Sequence, residues 1–234
     1  MLRLQTFGGV SLFRGDENLT GAVTQRRRLG ILVLLASSGP TGVSRDKLQA
    51  CLWPESDTSN ARHVLNQLLY AQRRQVGVEA LFLGRKTLRL NPAVISSDVD
   101  GFERALETHD LRSAVGYYRG PFLDGFFLKD APEFERWTEA QRGRLAHRAV
   151  GAFTMLAGQS ADRGDHRLAA EWWRRAAEVD PFDTRTAIGL VSCLAAAGDR
   201  AGALVAARRH EDLLRTDLGV TPGAEFSEAV TRLR

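Results

Sequence analysis

Apolar and polar positions alternate at the start of the chain. Leu2, Leu4 and Thr6 are followed by Val10 and Leu12 about the pair Gly8-Gly9, a period of two that predicts two short strands and a turn. After a polar loop from Arg14 to Gly21 the period changes. Thr24-Gln25-Arg26-Arg27-Arg28 opens an apolar helix, Leu29 to Ser37, which Gly39-Pro40 closes. Ser44 is a good N-cap for a short helix, Arg45 to Leu52, ended by Trp53-Pro54. Beyond the polar turn Glu55–Ser59, Ser59 or Asn60 caps a third helix that runs to Gly77. Ala80–Leu83 and Leu88–Leu90 then read as two strands joined by the basic tip Gly84-Arg85-Lys86-Thr87, and Asn91-Pro92 ends the unit.

From Asp98 onward the pattern is helical, and it repeats. Gly164-Asp165-His166-Arg167-Leu168-Ala169-Ala170 and Gly198-Asp199-Arg200-Ala201-Gly202-Ala203-Leu204 align at a spacing of 34 residues. Asp110–Val115 resembles the same segment, and Asp180-Pro181 ends one of the helices. A period of about 34 residues, with small side chains where paired helices approach, is the tetratricopeptide pattern. The expected fold is therefore mostly α. A winged helix-turn-helix of α+β type occupies residues 1–95, and an all-α tetratricopeptide-like helical domain occupies residues 96–234.

The third helix divides cleanly when its residues are set at about 100° intervals. Ala61, Val64, Leu65, Leu68, Leu69, Ala71 and Val76 share one arc; Arg62, His63, Asn66, Gln67, Tyr70, Arg73 and Arg74 share the other. The polar arc has no acidic residue, although acids are common on solvated faces. It offers Arg for guanine acceptors, Asn and Gln for adenine, and Tyr for phosphate. Gln72 breaks the pattern, falling in the apolar arc. Further basic groups suit the nucleic-acid backbone: Arg26, Arg27 and Arg28 at the start of the first helix, Arg45 and Lys47 at the start of the second, and Arg85 and Lys86 at the hairpin tip. Cations at a helix N-terminus oppose its dipole, so the first cluster costs stability without an evident structural return.

Charge supports this division. Residues 1–97 carry 13 Arg and Lys against 6 Asp and Glu, whereas residues 98–234 carry 19 against 22. A basic first part and a mildly acidic second part direct a polyanion to the first alone.

Other chemistry finds little support. Cys51 and Cys193 lie in apolar helical patterns without CxxC pairing and read as small buried hydrophobes. Five scattered histidines give no metal-ligand spacing. No Walker loop, GxGxxG after a strand or GxSxG elbow occurs, and the acidic pairs Glu133/Glu135 and Glu211/Asp212 read as solvated or salt-bridged, so no enzyme, metal or cofactor is expected. The longest apolar run, Leu29 to Ala36, is too short to span a bilayer, and the N-terminus lacks a secretory pattern, so a cytoplasmic location away from membranes is expected. A protein-interaction adaptor would explain the repeats, but not the charge split or the acid-free helix face.

Several motifs together resemble one family. They are Val43-Ser44-Arg45-Asp46-Lys47-Leu48 with Leu52-Trp53-Pro54, Ala61-Arg62-His63 with Leu65, Leu69-Tyr70 and Arg73-Arg74. Further along come Tyr118-Arg119-Gly120-Pro121-Phe122-Leu123-Asp124-Gly125-Phe126, Glu133-Phe134-Glu135-Arg136-Trp137, Arg142, Arg144-Leu145 and Asp217-Leu218-Gly219-Val220-Thr221-Pro222. In this order the chain resembles the SARP-type bacterial transcription regulators, which join a response-regulator-like winged helix to a bacterial transcriptional activator domain. The resemblance implies an activator whose helix Asn60–Val76 lies in the major groove of direct-repeat operators in double-stranded DNA. It further implies contact with RNA polymerase holoenzyme, self-association on direct repeats and a nucleoid location. The family usually has Leu where Gln72 stands. In the helical domain Trp137, Trp172 and Trp173 are expected to pack between helices. Trp172 and Trp173, being adjacent, cannot both face inward, so one should be partly exposed and could mark a partner contact.

Overall fold

The alternation of the first residues is realised as antiparallel strands β1 (Leu2–Gln5) and β2 (Ser11–Arg14), with Leu4 opposite Leu12. The structure is a computed structural model that describes residues 1–232, and of Ala22 and Val23 the backbone only. Leu233 and Arg234, the end of the expected helical domain, lie outside the described residues. Two strands too short to show any period complete the sheet. β3 (Glu17–Asn18) pairs with β2, and β7 (Ile95–Ser97) pairs in parallel with β1, giving the order β3-β2-β1-β7. Leu2, Leu4, Leu12 and Ile95 point to the buried side.

Three helices follow: α1 (Arg26–Ala36), α2 (Arg45–Leu52) and α3 (Thr58–Val76). Ser44 caps α2, accepting from the Lys47 amide at 3.2 Å. The cap of α3 is Asp57, not Ser59 or Asn60; its Oδ1 accepts from the Asn60 amide at 2.9 Å and from the Ser59 hydroxyl at 2.6 Å. Four cap-forming residues stand in a row here, and the carboxylate adds a favourable interaction with the helix dipole. Gly77 ends α3 in the left-handed conformation. The hairpin β5 (Phe82–Leu83) and β6 (Thr87–Leu90) gains a third strand, β4 (Val43–Ser44), in the order β4-β6-β5.

The chain divides into two compact units, Met1–Thr108 with Gly116–Gly143, and His109–Val115 with Arg144–Arg234. In the first, helix α4 (Asp98–Glu107) begins at Asp98, whose carboxylate accepts from the Thr6 amide and hydroxyl, the Phe7 amide and the Val99 amide at 2.6–3.0 Å. The segment Tyr118–Phe126, one of the motifs carrying the resemblance, packs here as well. The Leu123 amide donates to the Thr6 carbonyl at 2.8 Å, and the Phe7 ring is surrounded by Phe102, Tyr118 and Phe122. Arg142 secures the segment, donating to the carbonyls of Phe122 and Leu123 at 2.8 and 2.7 Å.

In the second unit, the repeat opens with the first part of α5 (Leu111–Tyr117), and the part of the long helix α6 (Pro132–Asp162) from Arg144 onward precedes its later turns in the chain. Helices α7 (His166–Val179), α8 (Thr184–Ala196) and α9 (Arg200–Leu213) pack in succession on a core of Ala169, Ala170, Ala187, Val191, Ala203, Ala207 and Phe226. The 34-residue repeat is the same turn built twice. Gly164 (φ 77°) and Gly198 (φ 84°) take a conformation that favours glycine, and Asp165 and Asp199 then cap α7 and α9. The Asp165 amide donates to the Ser160 carbonyl and the Asp199 amide to Leu194, again 34 residues apart. Before α5, His109 (φ 58°) stands in the glycine's place and Asp110 accepts from the Ser113 amide. The expected fold class is borne out: a small N-terminal sheet and helix region, then an all-helical repeat.

Candidate nucleic-acid interface

The two arcs of α3 separate in space as they do in sequence. Ala61, Leu65, Leu69 and Val76 are buried, whereas Arg62, His63, Asn66, Gln67, Tyr70 and Arg74 are exposed. Tyr70 is 60% exposed, a large aromatic turned mostly to solvent. Arg73 is half-buried, with its guanidinium 5.7 Å from the centre of the Phe82 ring in β5. His63 and Gln67, one helical turn apart, meet through their Nε2 atoms at 2.8 Å. Arg74 and Arg73 lie in the last turn of α3, where the helix dipole favours positive charge.

Arg45 joins this face to the hairpin. Its Nη1 donates to Asn66 Oδ1 at 2.8 Å, its Nε to the Arg85 carbonyl at 2.6 Å, and its backbone amide to the Lys86 carbonyl at 3.0 Å. Burial, then the charges of Arg73 and Arg62, push the Arg45 guanidinium below its ordinary pKa, which marks how closely the cations gather. Arg85 and Lys86 are themselves exposed at the tip. The structure thus brings together Arg45, the exposed arc of α3 and the hairpin tip. Lys47, also exposed, lies apart from that contact, lining a cavity of about 600 Å³ with Cys51, Trp53, Glu133 and Trp137.

Arg26, Arg27 and Arg28 depart from the sequence reading. Arg26 donates to the Phe127 carbonyl at 2.9 Å and lies over the Phe126 ring. Arg27 donates to the carbonyls of Leu52 and Lys129 and lies over Trp53. Arg28 is 8% exposed, and its guanidinium meets Gln75 Oε1. These contacts are the structural return the sequence did not reveal: carbonyl groups at the end of α2 and in segment 126–129 take up the charge.

Residues 96–234 match the family model described as bacterial transcriptional activator domain. The chain belongs to this family. It is a family of transcription regulators, and the SARP-type resemblance read from the sequence is borne out. No curated protein matches the chain. Among solved structures it is similar to EmbR of Mycobacterium tuberculosis, determined in complex with a low-affinity phosphopeptide. The TM-score is 0.68 at 22% identity, with 99% of this chain and 64% of that one covered. That likeness shows the fold.

Within the activator domain the aromatic residues pack as expected. Trp137 lies against Phe122 and Phe134, and Trp172 stacks on Phe153 beneath Arg175. Trp173 lies on Gly189, where a Cβ would come within 2.4 Å of the indole. Both indoles of the adjacent pair are half-buried, so the exposure expected of one is shared by two.

Glu133 pairs with Arg136, Glu135 accepts from the Leu128 amide at 2.8 Å, and Asp212 pairs with Arg215. Burial, with a smaller effect of Glu133, pushes the Cys51 thiol up to about 11, so it stays protonated. Burial also raises the Cys193 thiol. Among the described residues, no group of His, Cys, Asp and Glu is placed to hold a metal ion, and no helix is long and apolar enough to cross a membrane.

Proposed function

We propose that the chain is a sequence-specific, double-stranded DNA-binding transcription activator that reads the major groove with α3. The observation that carries this reading is the face of α3, exposed, free of acids and tied through Arg45 to a basic hairpin tip. Arg62, His63, Asn66, Gln67, Tyr70, Arg73 and Arg74 meet base edges and flanking phosphates. Arg85 and Lys86 follow the backbone as a wing. Lys47, exposed on α2, adds a further backbone contact. Arg28, in the core, is left out of the interface, and Arg26 and Arg27 serve it only by holding α1 against its neighbours.

The helical domain contacts RNA polymerase holoenzyme, and two copies bind side by side on direct repeats. Family membership supports the activator role, and the basic first part of the chain supports the assignment of DNA to α3 and the wing. A gel-shift titration of the purified chain with duplex and single-stranded DNA of one sequence tests this. Salt-dependent duplex binding that a double Arg62→Glu, Arg74→Glu variant loses is expected. Duplex binding unchanged by that variant would remove α3 from the interface. Polymerase contact is checked by transcription from a bound promoter, which should rise when the chain is added.

A further inference from the structure

We infer that Arg45 is a specificity-determining positioning residue, fixing which end of the Asn66 amide accepts and which donates at the DNA surface. The inference rests on the reading of α3 as the helix that meets base edges. A surface carboxamide can turn through half a circle and exchange its oxygen and nitrogen, so a free Asn offers its donor and acceptor in either order. Asn66 is not free in this sense. A guanidinium has donors only, so the Asn66 atom 2.8 Å from Arg45 Nη1 is the oxygen. A turned amide would set two donors, one of them charged, against each other.

Arg45 is itself held in place. It is the first residue of α2 after the Ser44 cap, and its backbone amide is bonded to the Lys86 carbonyl at 3.0 Å. Its Nε is committed to the Arg85 carbonyl at 2.6 Å while Nη1 serves Asn66, so the planar fork cannot rotate without losing both bonds. Arg62 and Arg73 stand nearby and supply no acceptor that could draw the guanidinium away.

The consequence is an ordered pair of groups on the reading face. Oδ1 keeps one lone pair on the side of α2 and the wing, and Nδ2 carries its two hydrogens on the other side. Adenine shows a donor, the N6 amino group, beside an acceptor, N7, on its major-groove edge. It matches the locked amide in one orientation along the groove. An unlocked amide would accept the opposite orientation equally well.

The test is selection of the full chain on a randomised duplex library, followed by sequencing. Wild type, Arg45→Ala, Arg45→Lys, Asn66→Ala and the double alanine variant are compared, each first shown by circular dichroism to be folded. Wild type should prefer one base at one position by roughly ten- to a hundredfold, and Asn66→Ala should abolish that preference alone. Arg45→Ala should lower it about tenfold at the same position, and the double variant should lose no more than Asn66→Ala. Lysine cannot serve the Arg85 carbonyl and Asn66 together, so Arg45→Lys should be intermediate.

If Arg45→Ala weakens all sequences alike and leaves that base preference intact, Arg45 grips phosphate only and the inference is overturned, while the reading of α3 stands. If wild type selects no sequence at all, both are overturned.

Discussion

The amide of Gln72, 0% exposed on the inner side of α3, donates to the carbonyl oxygen of Arg28 in α1 at 3.4 Å. This is a long, weak bond, and Gln72 Oε1 is buried without a protein partner. Gln72, a polar residue in the apolar arc, therefore stitches α3 to α1 without satisfying its own oxygen. Leucine at this position would remove the unsatisfied atom at similar volume. Gln72→Leu should leave stability unchanged or raise it by about 1 kcal/mol, whereas Gln72→Ala should lower it by about 2 kcal/mol by leaving a cavity. Urea denaturation of both variants checks the pair.

Asp98 should be the costlier residue to lose. Burial raises its carboxyl above the usual range, while the hydrogen bonds from Phe7, Thr6 and Val99 oppose that rise. Its acceptor role is what joins α4 to the end of β1. Asp98→Ala leaves the Thr6 and Phe7 donors without their partner and should destabilise by about 2–4 kcal/mol. Asp98→Asn should recover only part of this, because its oxygen keeps the Thr6 and Val99 donors while its amide hydrogens would face the Phe7 amide. The same denaturation measurement decides, and an Asp98→Ala variant as stable as wild type would refute the role.

What the sequence revealed and what it hid follow from the reach of each interaction. The face of α3 was legible because a helix sets its own periodicity, and Gln72 is the one residue between Arg62 and Arg74 that departs from it. The repeat turns at Gly164 and Gly198 were legible for the same local reason. The partners of Arg26–Arg28 were not. Phe127 and Lys129 lie about a hundred positions away, and no pattern within α1 announces a carbonyl contributed by so distant a segment. Strand β7 and Asp98 were hidden likewise, since both act on residues 2–7 across some ninety positions. From sequence Arg45 reads as a backbone contact because it opens α2; its bond to Asn66, 21 positions on, forms only where the wing and α3 converge.

The start of α3 should respond to acid through Asp57. The Ser59 hydroxyl, and after it the Asn60 amide, hold this carboxyl below its ordinary value. Its folded pKa is thus lower than its unfolded one. The cap's contribution is complete above about pH 4 and is lost as pH falls through the folded value. The amide resonance of Asn60 should shift over that range by NMR, and Asp57→Asn, a neutral cap, should abolish the step. A shift that persists in Asp57→Asn would assign it to another group.

The arginines of α1 and those of the reading face should separate by salt dependence. Arg74→Ala or Lys86→Ala should each make the log–log slope of DNA affinity against salt shallower by about one unit, the effect of leaving one phosphate unneutralised. Arg28→Ala should leave that slope unchanged and instead cost about 1–3 kcal/mol of stability, since it removes a buried guanidinium bonded to Gln75. Isothermal binding series at several salt concentrations, with a melting curve for each variant, check both halves. A shallower slope for Arg28→Ala would return that residue to the interface.

The reading face itself is tested most directly by base contacts. Asn66 and Gln67 are exposed, so alanine at either should change stability by no more than about 0.5 kcal/mol. Binding of Asn66→Ala and Gln67→Ala is measured by fluorescence anisotropy on the selected cognate duplex and on random duplex, side by side. Each variant should lose about 1–3 kcal/mol on the cognate site and almost nothing on random DNA. Folded variants that bind the cognate site as tightly as wild type would contradict the assignment of α3 as the reader.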